Sequence, residues 1–145
     1  MKKDVLITLK GSQEYIPFEM ENKIEFFTEG KYYKKGEAYF LTYKESEITG
    51  FKGTTTTFRI QPNLLTLIRF GGVNSSLVFE EGKRHMSVYQ TEEGTLMIGV
   101  FTKQMMIDID DDGGKIYVNY YIDFENTQAV NNYFHLEIKK VGGRN

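Results

Sequence analysis

At 145 residues and 16.9 kDa the chain carries one domain's worth of core, and residues 1–145 read as a single domain. It is 40% hydrophobic and 26% charged and has no Cys, which excludes a disordered chain, a disulfide framework, a thiolate metal site and a cysteine nucleophile. A net charge of −2 and a pI near 5.7 leave no electrostatic footprint for nucleic acid. Two Ala stand against 54 Val, Ile, Thr, Tyr and Phe, so the composition favours strands throughout. Val5, Ile7 and Leu9 alternate with Asp4, Leu6 and Thr8 up to a turn at Gly11-Ser12. A looser stretch from Gln13 to Asn22, with Pro17, reads as a connection or lid. Lys23 to Lys34 is the next strand, with Gly30 at a bend or bulge, followed by Ala38 to Lys44.

The polar turn from Ser46 to Gly53 leads into Thr54 to Gln61, whose run of threonines suits a strand with one wet face. Pro62-Asn63 reverses the chain into Leu64 to Phe70, and Gly71-Gly72 with Asn74 turns it into Ser76 to Glu81. Gly82 separates that strand from Arg84 to Gln90. In the last third, Leu96, Ile98 and Val100 share one parity and Met105, Ile107 and Ile109 the other, so a β-bulge belongs near Thr102 to Gln104. Ile116, Val118, Tyr120, Ile122 and Phe124 form one inward face, and Phe134, Leu136 and Ile138 another. A short helical turn fits within Asn126 to Asn132. Short connections force antiparallel neighbours. Nine or ten such strands leave two open edges unless the sheet closes, so the expected fold is all-β, an antiparallel up-and-down barrel, with a sandwich as the alternative.

The strings Tyr39-Phe40-Leu41-Thr42-Tyr43-Lys44-Glu45, Leu67-Ile68-Arg69-Phe70-Gly71, Leu77-Val78-Phe79-Glu80 and Asn132-Tyr133-Phe134-His135-Leu136-Glu137-Ile138 occur in an order and spacing that resembles the YwiB-like family. These are small bacterial proteins catalogued as a domain of unknown function. The resemblance covers nearly the whole chain. It implies a calycin-like barrel, similar to lipocalins and fatty-acid-binding proteins. It carries no activity and transfers no functional residue.

Asp108-Ile109-Asp110-Asp111-Asp112-Gly113 matches the first half of a calcium loop, but the twelfth position is Asn119 instead of Glu and strands flank the run. The motif is read as an acidic hairpin turn, and neither a metal nor a cofactor is expected. His85 and His135 have no ligand-like spacing, and both read as solvated strand positions. Without a G-x-S-x-G elbow or a phosphate loop, the chain is not expected to be an enzyme. Arg69 shares parity with Leu65 and Leu67; if that parity points inward, its guanidinium sits in or near the lumen and needs Glu or Tyr partners or an anionic ligand. A structural ion pair or a snorkelling rim position is the plainer alternative to a ligand contact. Glu45, Glu47 and Glu80 are partners by type, and Arg69, Tyr43 and Glu45 form the candidate ligand-binding set. Tyr117, Tyr121 and Tyr133 face the other way on adjacent strands and form a candidate interface, most simply of a homodimer. With Thr8 and Lys10 breaking the apolar start, no signal peptide or membrane span is expected and the location is cytoplasmic. Two readings follow: a barrel that binds a small, partly apolar ligand, or a module that self-associates through its outer aromatic face.

Overall fold

The computed structural model describes residues 2–14, 21–45, 52–72, 74–91, 94–124 and 129–141. Ten antiparallel strands follow in chain order: β1 Lys3–Glu14, β2 Glu21–Lys35, β3 Ala38–Lys44, β4 Thr54–Gln61 and β5 Leu64–Gly71. The second half continues with β6 Asn74–Phe79, β7 Arg84–Thr91, β8 Gly94–Asp110, β9 Gly113–Phe124 and β10 Val130–Lys140. Each strand pairs with its sequence neighbours, and β1 pairs with β10, so the sheet closes on itself. Closure decides between barrel and sandwich, because it leaves no open edge strand.

Alternation dictates the core. Val5 and Ile7 of β1, Leu41 of β3, Phe58 and Ile60 of β4, Leu65 and Leu67 of β5, and Leu77 and Phe79 of β6 are buried. Ile98, Val100, Ile116, Val118, Phe134, Leu136 and Ile138 complete the wall from β8 to β10. Phe79 lies under Tyr120 and Phe134, with centroids 5.0 and 5.7 Å away in edge-on arrangements. The parity change in β8 is the bulge expected from sequence: Thr102 pairs with Tyr120 and Gln104 with Asn119, which returns Met105, Ile107 and Ile109 to the inner side. Tyr120 and Ile122, grouped by sequence with the buried residues, are half-buried and pack against the core from its rim.

Of four local expectations, two change and two lie partly outside the described residues. Gly11-Ser12 is not a turn, since β1 continues to Glu14; a Cβ at Gly11 would sit 2.8 Å from the Tyr133 carbonyl of β10, so glycine serves close approach there. Gly30 is not a bulge either, as β1 and β2 stay in register from Lys3↔Tyr32 to Glu14↔Glu21, and a Cβ there would meet the Thr42 carbonyl at 2.6 Å. Within the stretch read as a helical turn, residues 126–128 lie outside the described residues and Val130 to Asn132 begin β10. The expected lid likewise has residues 15–20 outside the described set, while Gln13, Glu14, Glu21 and Asn22 belong to strands.

The two ends differ. One end, here the floor, carries the connections 36–37, 62–63, 80–83 and 111–112. The other, the mouth, is where the strand ends Glu14 and Glu21, Lys44 and Thr54, Gly71 and Asn74, Thr91 and Gly94, and Phe124 and Val130 lie. At the floor the β8–β9 hairpin reaches β2 and β3: the Tyr32 hydroxyl donates to the Asp110 carbonyl at 2.7 Å and that of Tyr39 to the Asp111 carboxylate. The two rings stack at 5.2 Å.

Candidate functional site

The inward positions of β3 to β6 change character on approaching the mouth. Below lie Leu41, Phe58, Leu67 and Leu77; one step higher lie Tyr43, Thr56, Arg69 and Ser75, with Glu45 and Thr54 above them. Antiparallel register makes this a layer, because Tyr43 opposes Thr56, Thr56 opposes Arg69, and Arg69 opposes Ser75. The three residues expected to bind a ligand, Arg69, Tyr43 and Glu45, are therefore brought together.

Glu45 is the hub. Its carboxylate accepts the Thr56 hydroxyl and lies 3.9 Å from Arg69 Nε, and the Tyr43 hydroxyl engages both Glu45 and Thr56. The two charged side chains are 2% and 16% exposed, so the pair sits where water screens it weakly. Burial pushes the Tyr43 phenol well above its ordinary pKa; the Glu45 charge adds to this and the Arg69 charge opposes it. Burial likewise raises Tyr120 to about 12. At ordinary pH both phenols are neutral donors.

Of the other partners proposed for Arg69, Glu47 lies outside the described residues and Glu80 is engaged elsewhere. Glu80 meets His85 Nε2 at 3.0 Å and Lys83 at 3.3 Å, and the His85 contact, with help from Lys83, holds its carboxyl below the usual range. His85 is thus half-buried and paired, not simply solvated, whereas His135 is exposed as expected.

Sequence reasoning missed two features. The first is a pair of inward serines. Ser75 and Ser87 are buried, and neither Oγ has a hydrogen-bond partner among the described residues; Thr102 Oγ1, deeper in the barrel, is in the same condition. A lone serine in a strand carries no sequence signal, so only the register exposes it. The second is a pair of seams in the wall. β2 pairs with β3 only from Lys31↔Thr42 to Lys35↔Ala38, and β6 with β7 only at Asn74↔Gln90 and Ser75↔Tyr89. At the first seam a groove of about 710 Å³ runs between Thr28, Gly30, Thr42 and Tyr43.

Opposite the polar layer, the inward side chains near the mouth are apolar apart from the buried Asn132 of β10. Leu9, Phe26, Tyr89, Ile122 and Phe124 are half-buried, and Leu96, which opposes Tyr89, is 46% exposed. The mouth is thus two-faced, with hydroxyls and an ion pair across from a mainly hydrocarbon wall that holds one carboxamide, Asn132.

The proposed interface residues lie on the outer faces of β9 and β10 as expected, in a checkerboard: Tyr117 opposes His135, Tyr133 opposes Asn119, and Tyr121 opposes Asn131. All three rings are half-buried, and the Tyr117 and His135 ring centroids lie 4.5 Å apart. A groove of about 320 Å³ opens beside Tyr117, His135 and Met106, away from Tyr121 and Tyr133. The Asp108–Asp112 run forms the β8–β9 hairpin, where Asp110 accepts the Asp112 amide and Asp112 faces Lys3 and Lys140. No cluster of three or more His, Asp or Glu side chains suited to a metal occurs among the described residues. No helix among them is long and apolar enough to cross a membrane.

Comparison with known proteins agrees with this architecture. The chain is similar to an uncharacterized β-barrel protein, YwiB, of Bacillus subtilis (strain 168), with 28% identity over 120 residues, covering 83% of each chain. The crystal structure of the ywiB protein from Bacillus subtilis superposes with a TM-score of 0.81 and 20% identity, over 96% of this chain and 92% of that one, which establishes likeness of fold. A model of a domain of unknown function, DUF1934, matches residues 7–138, and the chain belongs to that family.

Proposed function

We propose that this protein is a non-enzymatic, cytoplasmic binding barrel that takes a small, partly apolar ligand at its mouth. The observation that carries the reading is the convergence of Tyr43, Glu45, Thr56 and Arg69 on one inward layer beside the unpartnered hydroxyl of Ser75. An apolar barrel interior is stable without such a layer, and a buried polar group with no partner costs about 1–3 kcal/mol. Retaining the layer opposite exposed hydrocarbon makes sense where a ligand completes it. Binding is favoured over catalysis because the ionisable groups of the layer are held by one another instead of being poised against a substrate position. Likeness to lipocalins is an analogy of architecture and adds nothing about the ligand.

The ligand is expected above the core, not within it, since Leu41, Phe58, Leu67, Leu77 and Phe79 fill the space beneath. Native mass spectrometry of the protein purified from its own host tests this. A non-covalent small-molecule adduct is expected on the wild-type chain and not on Ser75→Leu. An adduct that persists in Ser75→Leu, or none on either protein, counts against the site.

A second reading, self-association through the outer face, draws on the concave groove beside Tyr117, His135 and Met106. Light scattering at micromolar concentration discriminates it: a mass near 17 kDa, one chain's worth, removes this reading.

A further inference from the structure

We infer that the ligand's polar group is uncharged, a hydroxyl or an amide on a short apolar tail, and that the barrel discriminates against both carboxylates and amines. The inference rests on the binding reading above and deepens it by naming a ligand class.

The argument is one of charge and hydrogen-bond accounting within the layer. Glu45 and Arg69 already neutralise each other at 3.9 Å, and both are largely withdrawn from water. A carboxylate entering beside Arg69 would share its guanidinium with Glu45 and place two negative groups in one poorly screened site. Like charges so placed disfavour ionisation of one of them. An ammonium entering beside Glu45 would set the same conflict against Arg69. Either ion adds a net buried charge with no counter-ion among the described residues of the layer, and a buried charge is tolerated only when paired.

The two serines that lack partners among the described residues are of another kind. Ser75 Oγ and Ser87 Oγ are hydroxyls, each able to donate once and accept twice. Both are buried and both face inward: Ser75 opposes Arg69 and Tyr89, and Ser87 opposes Ile98. A hydroxyl or amide offers a donor and an acceptor together, which suits a buried serine hydroxyl that has neither partner. The tail's length follows from the opposite wall. Its half-buried members Ile122 and Phe124 are two residues apart on β9, which is about 7 Å of strand. Six carbons cover that distance.

The test uses three probes with one tail: 1-hexanol, hexanoate and hexylammonium, titrated into the full chain at neutral pH and followed by amide chemical shifts. Hexanol is expected to bind at least tenfold more tightly than either ion, with its largest shifts at Ser75, Ser87 and Leu96. Tighter binding of an ion, or a preference below tenfold, overturns the inference while leaving the binding reading intact. Absence of mouth shifts with all three probes overturns both. Glu45→Gln supplies the second arm. It leaves the Arg69 charge without its carboxylate, so the order should reverse in favour of hexanoate. An unchanged order in a folded Glu45→Gln protein contradicts the charge argument.

Discussion

At the floor of the barrel, Tyr32 and Tyr39 stack on each other and donate their hydroxyls to the β8–β9 hairpin. At the mouth, Tyr43 directs its hydroxyl toward a carboxylate shared by a threonine and an arginine. The residue type is the same and the consequence differs. Tyr32 ties β2 to a backbone carbonyl of the hairpin and Tyr39 ties β3 to the Asp111 carboxylate, so their bonds resist opening of the barrel. The mouth tyrosine belongs to a side-chain network that includes a buried ion pair, and such a pair is weak evidence for stability because desolvation offsets its attraction. The contrast separates a region that holds the fold from one whose polar groups need a different explanation, which the proposed ligand recognition would supply.

The sharpest way to break the contrast is to excavate the filled part of the barrel. Phe79→Ala removes a ring with no exposure that supports Tyr120 and Phe134, and is expected to cost about 4 kcal/mol by the usual cost of emptying an aromatic core site. Denaturant midpoints measure this, and a loss below about 1 kcal/mol would show that the core is not packed as described. Breaking the mouth pair comes next. Arg69→Met leaves Glu45 without its cation and should cost about 3 kcal/mol, whereas Glu45→Leu combined with Arg69→Met should recover most of that loss. A double variant as unstable as the single one would mean the pair is structural, like the floor.

Tyr32→Phe removes one hydroxyl from the floor and should cost about 1 kcal/mol, the usual net worth of a single hydrogen bond. The smallest effect is the alkaline limb of stability. Tyr43 and Tyr120 have phenol pKa values raised by burial in the folded state, so the native protein holds protons that the unfolded chain releases. Their contribution is complete below the ordinary value of 10.0 and declines as pH rises from there toward about 12 for Tyr120. The melting temperature should therefore fall above pH 10, less steeply in Tyr120→Phe. An identical slope in that variant would place Tyr120 in contact with water.

Much of the fold was legible in the sequence because strand alternation is a local property. The bulge at Thr102/Gln104 could be read from one change of parity, and the inward direction of Arg69 from its spacing to Leu65 and Leu67. Glycine misled at Gly11, and at Gly30 as to a bulge, since lack of a side chain serves close approach as well as turning, and only the neighbouring strand distinguishes the two. Of the site, the ionic members were legible because a charge inside an apolar strand demands a partner. Ser75 and Ser87 were not, because a serine in a strand is unremarkable until register shows which wall it faces. The seams at β2–β3 and β6–β7 were also hidden, as they depend on where pairing stops, not on which residues form strands. The His85–Glu80 contact at the second seam was hidden for the same reason.

Amide hydrogen exchange with and without saturating 1-hexanol tests most directly the division of the barrel into a supporting floor and a binding mouth. Slowing is expected at the mouth ends of β3 to β8, around Tyr43, Thr56, Arg69, Ser75, Ser87 and Leu96, with the floor hairpin at Asp110 to Gly113 unchanged. Slowing confined to the outer groove beside Tyr117 and His135, or spread evenly over both ends, would contradict the account.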